Sequence, residues 1–223
     1  MGRRRLLGQL LREYCPNAKR FLDAGCGTGA NLRMLFDLGV GTISGIDASP
    51  LAISVCREKG FVETVVGDIR SLPYADDSFD VVFATDIVEH VAEDDAAATE
   101  IFRVLCTGGH AVFTVPAFPS LWGLQDDVSQ HQRRYRIGPF CRLLETAGFT
   151  VKELFHFNIF LFLPIWAARQ FIRLSGMSIQ SENDINTPFL NSVLKWIFAF
   201  DIASARRIRL PFGVSICAVA VKR

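Results

Sequence analysis

The stretch FLDAGCGTGANL, from Phe21 to Leu32, constrains the fold more than any other part of the chain. An apolar run ends directly in Gly25-x-Gly27-x-Gly29 and then resumes with a helical pattern. Glycine gives up side-chain contacts and costs conformational entropy. Its clustering here reads as a tight strand-to-helix turn whose backbone approaches a ligand. The missing side chains leave room, and the helix start offers unpaired N–H groups. Asp23 stands just ahead of the turn.

The rest of the chain repeats that alternation. Apolar runs at Arg20–Ala24, Thr42–Asp47, Glu63–Gly67, Phe79–Thr85, Gly109–Pro116, Thr150–Phe157 and Val214–Lys222 read as strands. Helical patterns lie near Asn31–Leu38, Pro50–Lys59, Glu93–Leu105 and Ile137–Ala147. Ser49 before Pro50 has the form of an N-cap with proline at the first helical position, and Gly60 and Gly148 sit where helix C-caps belong. Strands alternating with crossover helices predict an α/β fold with a mainly parallel sheet. One domain is expected over 1–223: a helix in 1–19, a core over 20–157, an apolar helical insertion or lid over 158–209, and a final strand in 210–223.

Composition narrows the class. Half the residues are hydrophobic (50%) and 21% charged, as in a globular protein, and the net charge of +1 argues against broad adhesion to nucleic acid. The 6 cysteines are scattered singly, without Cys-x-x-Cys pairs, which suits free thiols in a reducing cytoplasm. Residues 3–14 read as an amphipathic helix, since Arg12 and Glu13 cut the apolar run too early for a signal peptide. The insertion holds two greasy segments, 158–176 and 187–209. Pro164 and Arg169 interrupt the first and Lys195 and Asp201 the second, so neither reads as a membrane span.

Acids stand at successive strand ends: Asp47 in SGIDASP, Asp68 in VVGDIRSLP and Asp86 in FATDIVEHV. In open parallel sheets ligands lie across the carboxyl ends of the strands, where an acid can accept hydrogen bonds from a ribose diol. In order, LDAGCGTG, GIDASP, GDIRSLPYADDSFDVV, DIVEHV and VLCTGGHAVFTVP resemble the motifs of class I S-adenosylmethionine (SAM) dependent methyltransferases. That resemblance covers 20–157 and the final strand. It implies a Rossmann-like seven-stranded sheet of order 3-2-1-4-5-7-6 with the last strand antiparallel and helices on both faces. It implies SAM as cofactor, with Gly25, Gly27 and Gly29 against its methionine half and Asp23 facing its amino group. Asp47, with Ala48, would hold the ribose; Asp68 and Ile69 would frame the adenine; Asp86 would close the same edge. Cys106 and Thr107 replace the more usual Lys-Pro before Gly108-Gly109. A dinucleotide is the competing cofactor, because Gly25-x-Gly27-x-x-Ala30 also fits a loose Rossmann fingerprint. Asp23 beside a pyrophosphate disfavours it.

Methyl transfer is an in-line displacement, and a hydroxyl acceptor also needs a base. Past the fourth and fifth strands the sequence offers Glu89-His90 and the loop Ala117–Phe140, which contains His131-Gln-Arg-Arg-Tyr135. His131 is the first candidate base and His90 the second. Tyr135 would orient or donate, and Phe118 and Trp122 would wall the pocket. A solvated basic turn with an arginine paired to Asp126 or Asp127 is the plainer reading. No metal site is expected, since Asp126-Asp127 has no third ligand beside it.

The expected activity is methyl transfer to a small, apolar or lipid-linked acceptor, at oxygen. The alternatives are a SAM-binding scaffold or sensor, or a protein or nucleic-acid methyltransferase. The last is disfavoured because no Asn/Asp-Pro-Pro-aromatic motif follows the fourth strand. No nucleic-acid partner is expected. The insertion has six basic residues to three acids among its aromatics, a pattern suited to peripheral contact with a membrane.

Overall fold

The protein is described by a computed structural model covering residues 2–175, 200, 201, 206 and 208–223. Helix α1 (Gly2–Tyr14) leads into β1 (Arg20–Ala24), α2 (Ala30–Asp37), β2 (Thr42–Asp47), α3 (Pro50–Glu58) and β3 (Thr64–Val66). Next come β4 (Phe79–Thr85), α4 (Asp94–Val104), β5 (Leu105–Pro116), α5 (Leu124–Val128) and α6 (Ile137–Thr146). β6 (Thr150–Phe157), α7 (Ile159–Ser175) and β7 (Ser215–Val221) complete the order. The strands form one seven-stranded sheet of order β3-β2-β1-β4-β5-β7-β6. β1 to β5 pair in parallel, and β7 runs antiparallel to both β5 and β6.

Alternation along the strands divides the core. Leu22, Val82, Ala84 and Phe113 face one side and pack with Ala97 and Ile101 of α4 and Phe140 and Leu144 of α6. Phe21, Val81, Phe83 and Val112 face the other, against Leu6, Leu7, Leu10 and Leu11 of α1 and Leu35 of α2. An isolated helix of this length is marginal in water. Fully burying each leucine contributes roughly 1.5–3 kcal/mol, so α1 is held by its packed face.

The expected caps form: Ser49 accepts from the Ala52 N–H, and Gly60 and Gly148 take positive φ. Two expectations change. β5 begins at Leu105 rather than Gly109, because its pairing continues past an irregularity to set Leu105 opposite Phe79. The loop after β5 is not plain coil, since it contains a 3-10 turn at Pro119–Leu121, helix α5, and a bridge from Ala117 to Tyr135.

The first greasy segment is α7. At its start the Phe160 N–H donates to the buried Asp201 at 2.9 Å, a carboxylate at a helix N-terminus. Arg206 forks onto the buried Glu153 of β6 and also meets Glu13 of α1. Among the described residues no helix is long and apolar enough to cross a membrane; most of the second segment, 187–209, lies outside them. Asp86, Phe118 and Asn158 have positive φ, and each follows the carboxyl end of β4, β5 or β6. Such strain in non-glycine residues gathers at functional edges.

Candidate active site

The turn after β1 is built from backbone. Gly25, Gly27 and Gly29 have φ of 78°, 50° and 87°, the left-handed region that side chains disfavour. A Cβ on Gly25 would fall 2.5 Å from Ile87, whereas one on Gly27 would meet nothing within 4 Å. Asp47 tightens the turn: its carboxylate accepts from the N–H of Gly27 at 2.8 Å and of Ser49 at 2.9 Å. Asp23 is fully buried, and Asn31 donates to one of its oxygens at 3.0 Å while also donating to Thr85. The other oxygen of Asp23 has no partner. Burial pushes the Asp23 carboxyl up to about 7, against the Asn31 hydrogen bond and with added repulsion from Asp47.

Ala48 follows Asp47 at the exposed rim, and Asp68 lies at the same edge with its carboxylate held by Arg70 at 2.6–3.0 Å. That hydrogen bond holds the Asp68 carboxyl below its ordinary value. The Ile69 side chain is buried in the core, so any contact it makes to a ligand falls to its backbone. Asp86 accepts from the Thr114 hydroxyl at 2.9 Å and pairs with Arg3 of α1.

Beyond β4 and β5 lies a second cluster. His131 Nδ1 is 2.8 Å from Asp126, a carboxylate with no exposed surface. Arg134 Nε donates to the same carboxylate at 2.7 Å, the Gly123 N–H donates at 2.8 Å, and Arg169 of α7 stands 3.5 Å away. Burial raises the Asp126 carboxyl, but the Arg134 hydrogen bond and charge, with Gly123 and His131, hold it below its ordinary value. The rings of His90 and His131 meet edge to face at 4.7 Å. Burial, then the neighbouring His131, lowers the pKa of His90. Glu89 is wholly buried beside them with neither carboxylate oxygen partnered. Burial and the Asp86 charge push its carboxyl well above the usual range, against the pull of Arg3 and Arg134.

His131 and His90 therefore come together as the sequence places them, and Tyr135 does not join them. Its ring is buried, and its hydroxyl donates to Asp94 at 2.7 Å at the start of α4. Burial and that carboxylate push the phenol pKa far up. Phe118 stacks on His156 and meets Phe162 of α7, and Trp122 donates to Asp127 at 2.9 Å. Ligand atoms of Glu89, His90 and His131, a grouping the sequence did not suggest, all lie within 4.8 Å of one another. The spacing of Asp126 five residues before His131 was the available sign of their pairing. Nothing local marks Glu89 as buried or Arg169 as its distant neighbour's counter-ion.

The residues at the β1–β3 edge fit SAM. The orphaned oxygen of Asp23 suits the methionine ammonium, and the glycine backbone leaves the space that a Cβ would fill. A family model described as a methyltransferase domain matches residues 22–113. The chain is 30% identical over 128 residues to malonyl-[acyl-carrier protein] O-methyltransferase of Serratia marcescens, covering 57% of this chain and 50% of that protein. It is 33% identical over 100 residues to fatty-acid O-methyltransferase of Mycolicibacterium smegmatis, covering 43% and 36%. The chain thus spans about half, or less, of the length of these curated relatives. A SAM-dependent methyltransferase structure from Mesorhizobium loti shares the fold, with a TM-score of 0.64 at 16% identity over 97% of this chain and 98% of that one. Residues 22–113 thus match a methyltransferase domain, and the sheet order and glycine turn around them are those of the class I SAM-dependent methyltransferase fold.

Proposed function

We propose that the protein transfers a methyl group from SAM to an oxygen of a small, apolar or lipid-linked acceptor. SAM supplies an electrophilic methyl group on a sulfonium, and Asp23, Asp47, Asp68 and the glycine turn would hold it. The carrying observation is the Asp126–His131 pair at 2.8 Å. With Nδ1 committed to Asp126, the Nε2 of His131 is left to take the proton of an acceptor hydroxyl. Asp126, held ionised by Arg134, fixes the ring and stabilises the imidazolium that forms. The two relatives named above act, by their names, on acyl groups, which supports a greasy oxygen acceptor. Hydroxylated lipids, fatty acids and quinols are the acceptors to screen. His131→Ala should lower kcat by about 10²–10⁴-fold with cofactor affinity intact. A variant with near-normal kcat on the true acceptor would remove base catalysis by His131.

The protein is proposed to be cytoplasmic, with peripheral membrane contact through 158–209. Leu163 and Trp166 of α7 are 63% and 42% exposed, and an aromatic at that boundary favours a bilayer interface. Flotation with anionic vesicles at low salt tests this contact. Protein left wholly unbound would reduce α7 to a lid.

A further inference from the structure

The Asp126–His131 pair leaves three groups without a task in base catalysis alone: the two oxygens of Glu89 and the ring of His90. Glu89 is the sharpest anomaly. A wholly buried carboxylate without a hydrogen-bond partner is costly, and a native chain keeps one only where something compensates. Its side chain shares its surroundings with two imidazoles that meet edge to face, and the outer nitrogen of one is engaged: His131 gives Nδ1 to Asp126. A metal-binding histidine characteristically donates its other N–H to a carboxylate or carbonyl, which fixes the ring and its tautomer.

We propose that Glu89, His90 and His131 form a binding site for one divalent transition-metal ion of the zinc class. Two imidazoles and one carboxylate are a common donor set for such ions, and three protein ligands leave a position open. Their ligand atoms lie within 4.8 Å of one another, and tetrahedral coordination at about 2.1 Å would draw them to about 3.4 Å apart. The ion's charge answers the buried carboxylate. An acceptor hydroxyl in the open position would be polarised toward loss of its proton, which would pass to solvent water. With the ion bound His131 serves as a ligand, and without it His131 keeps the base role of the proposed function. The inference rests on that reading for the identity of the open position's occupant, but not for the binding of the ion.

The test therefore uses the metal alone. The full chain, stripped with a chelator and freed of it, is titrated with Co²⁺ and followed by visible absorption and calorimetry. One equivalent should bind, with bands of nitrogen and oxygen ligation. His90→Ala and Glu89→Gln should each weaken binding at least tenfold. Asp126→Asn, which acts through His131, should weaken it by about 10–100-fold. Cys106→Ser should leave it unchanged. Near-UV circular dichroism confirms that each variant is folded; Glu89→Gln keeps the size of the side chain and covers the case in which a histidine variant unfolds. Absence of binding, or binding unaltered in both folded Glu89→Gln and folded His90→Ala, overturns the site. Loss of methyl transfer with metal binding intact would strike the proposed function and leave the site standing.

Discussion

The two halves of the carboxyl edge are made of different materials. The half at β1–β3 is a backbone device, in which three glycines take positive φ and one carboxylate, Asp47, ties the turn through two N–H groups. The half beyond β4 and β5 is a side-chain device. There Asp126 collects Arg134, His131 and Arg169 from the loop and α7, and Glu89 waits buried beside them. A backbone device depends on local conformation, so its parts lie close together in the chain. A buried charge network depends on every member, because removing one strands the others in a medium that cannot hydrate them.

The difference predicts unequal damage. Asp126→Ala should be the most severe change for stability, since it removes the buried carboxylate that the nearly buried Arg134 pairs with. The expected cost is about 3–5 kcal/mol. In a chain of this size that corresponds to a fall of about 10 °C in Tm, to be read by calorimetry. A loss near zero would mean that the network relaxes around the gap, and the contrast between the halves would dissolve.

Legibility followed the same division. Helix and strand periodicity marked β1, β2, β4 and β6 to the residue, and the leucine row of α1, because apolar alternation reports burial directly. The acids of the cofactor edge stood out because each closes a strand. Glu89, Asp126 and Asp201 are all wholly buried, yet a buried charge follows no hydrophobic period that would mark it in the sequence. Asp201 looked like a flaw in an apolar segment and instead meets the first turn of α7. Tyr135 was expected to orient or donate at the acceptor, and its hydroxyl instead meets Asp94 from a buried ring.

A smaller effect is expected in the backbone half. Asp47→Ala should weaken cofactor affinity by roughly 1.5–3 kcal/mol, the scale of lost charge-assisted hydrogen bonds. The two freed N–H groups lie at a part-exposed rim and can turn to water, so Tm should fall far less than with Asp126→Ala. Titration calorimetry with S-adenosylhomocysteine reads the affinity. Unchanged binding would take Asp47 out of the site.

The smallest expected effect concerns the one member of the backbone half that behaves like the other half. Asp23 is buried, one of its oxygens has no partner, and its carboxyl is raised from 3.8 to about 7. A carboxyl with a raised folded-state pKa binds more protons folded than unfolded between those values. The unliganded chain should therefore lose stability as pH rises from about 4 to about 7. A ligand ammonium pairs with the ionised form, so ligand binding should expel a proton below about 7 and tighten as pH rises. Between pH 5.5 and 7.5 the affinity for S-adenosylhomocysteine should rise roughly tenfold, flattening above neutrality. Asp23→Asn should bind more weakly at pH 7.5 and lose most of that slope. Calorimetry in two buffers of different ionisation enthalpy counts the released proton directly. A flat profile in the parent chain, or an equal slope in Asp23→Asn, would mean that water rather than Asp23 receives the ammonium, and the cofactor edge would then rest on backbone and Asp47 alone.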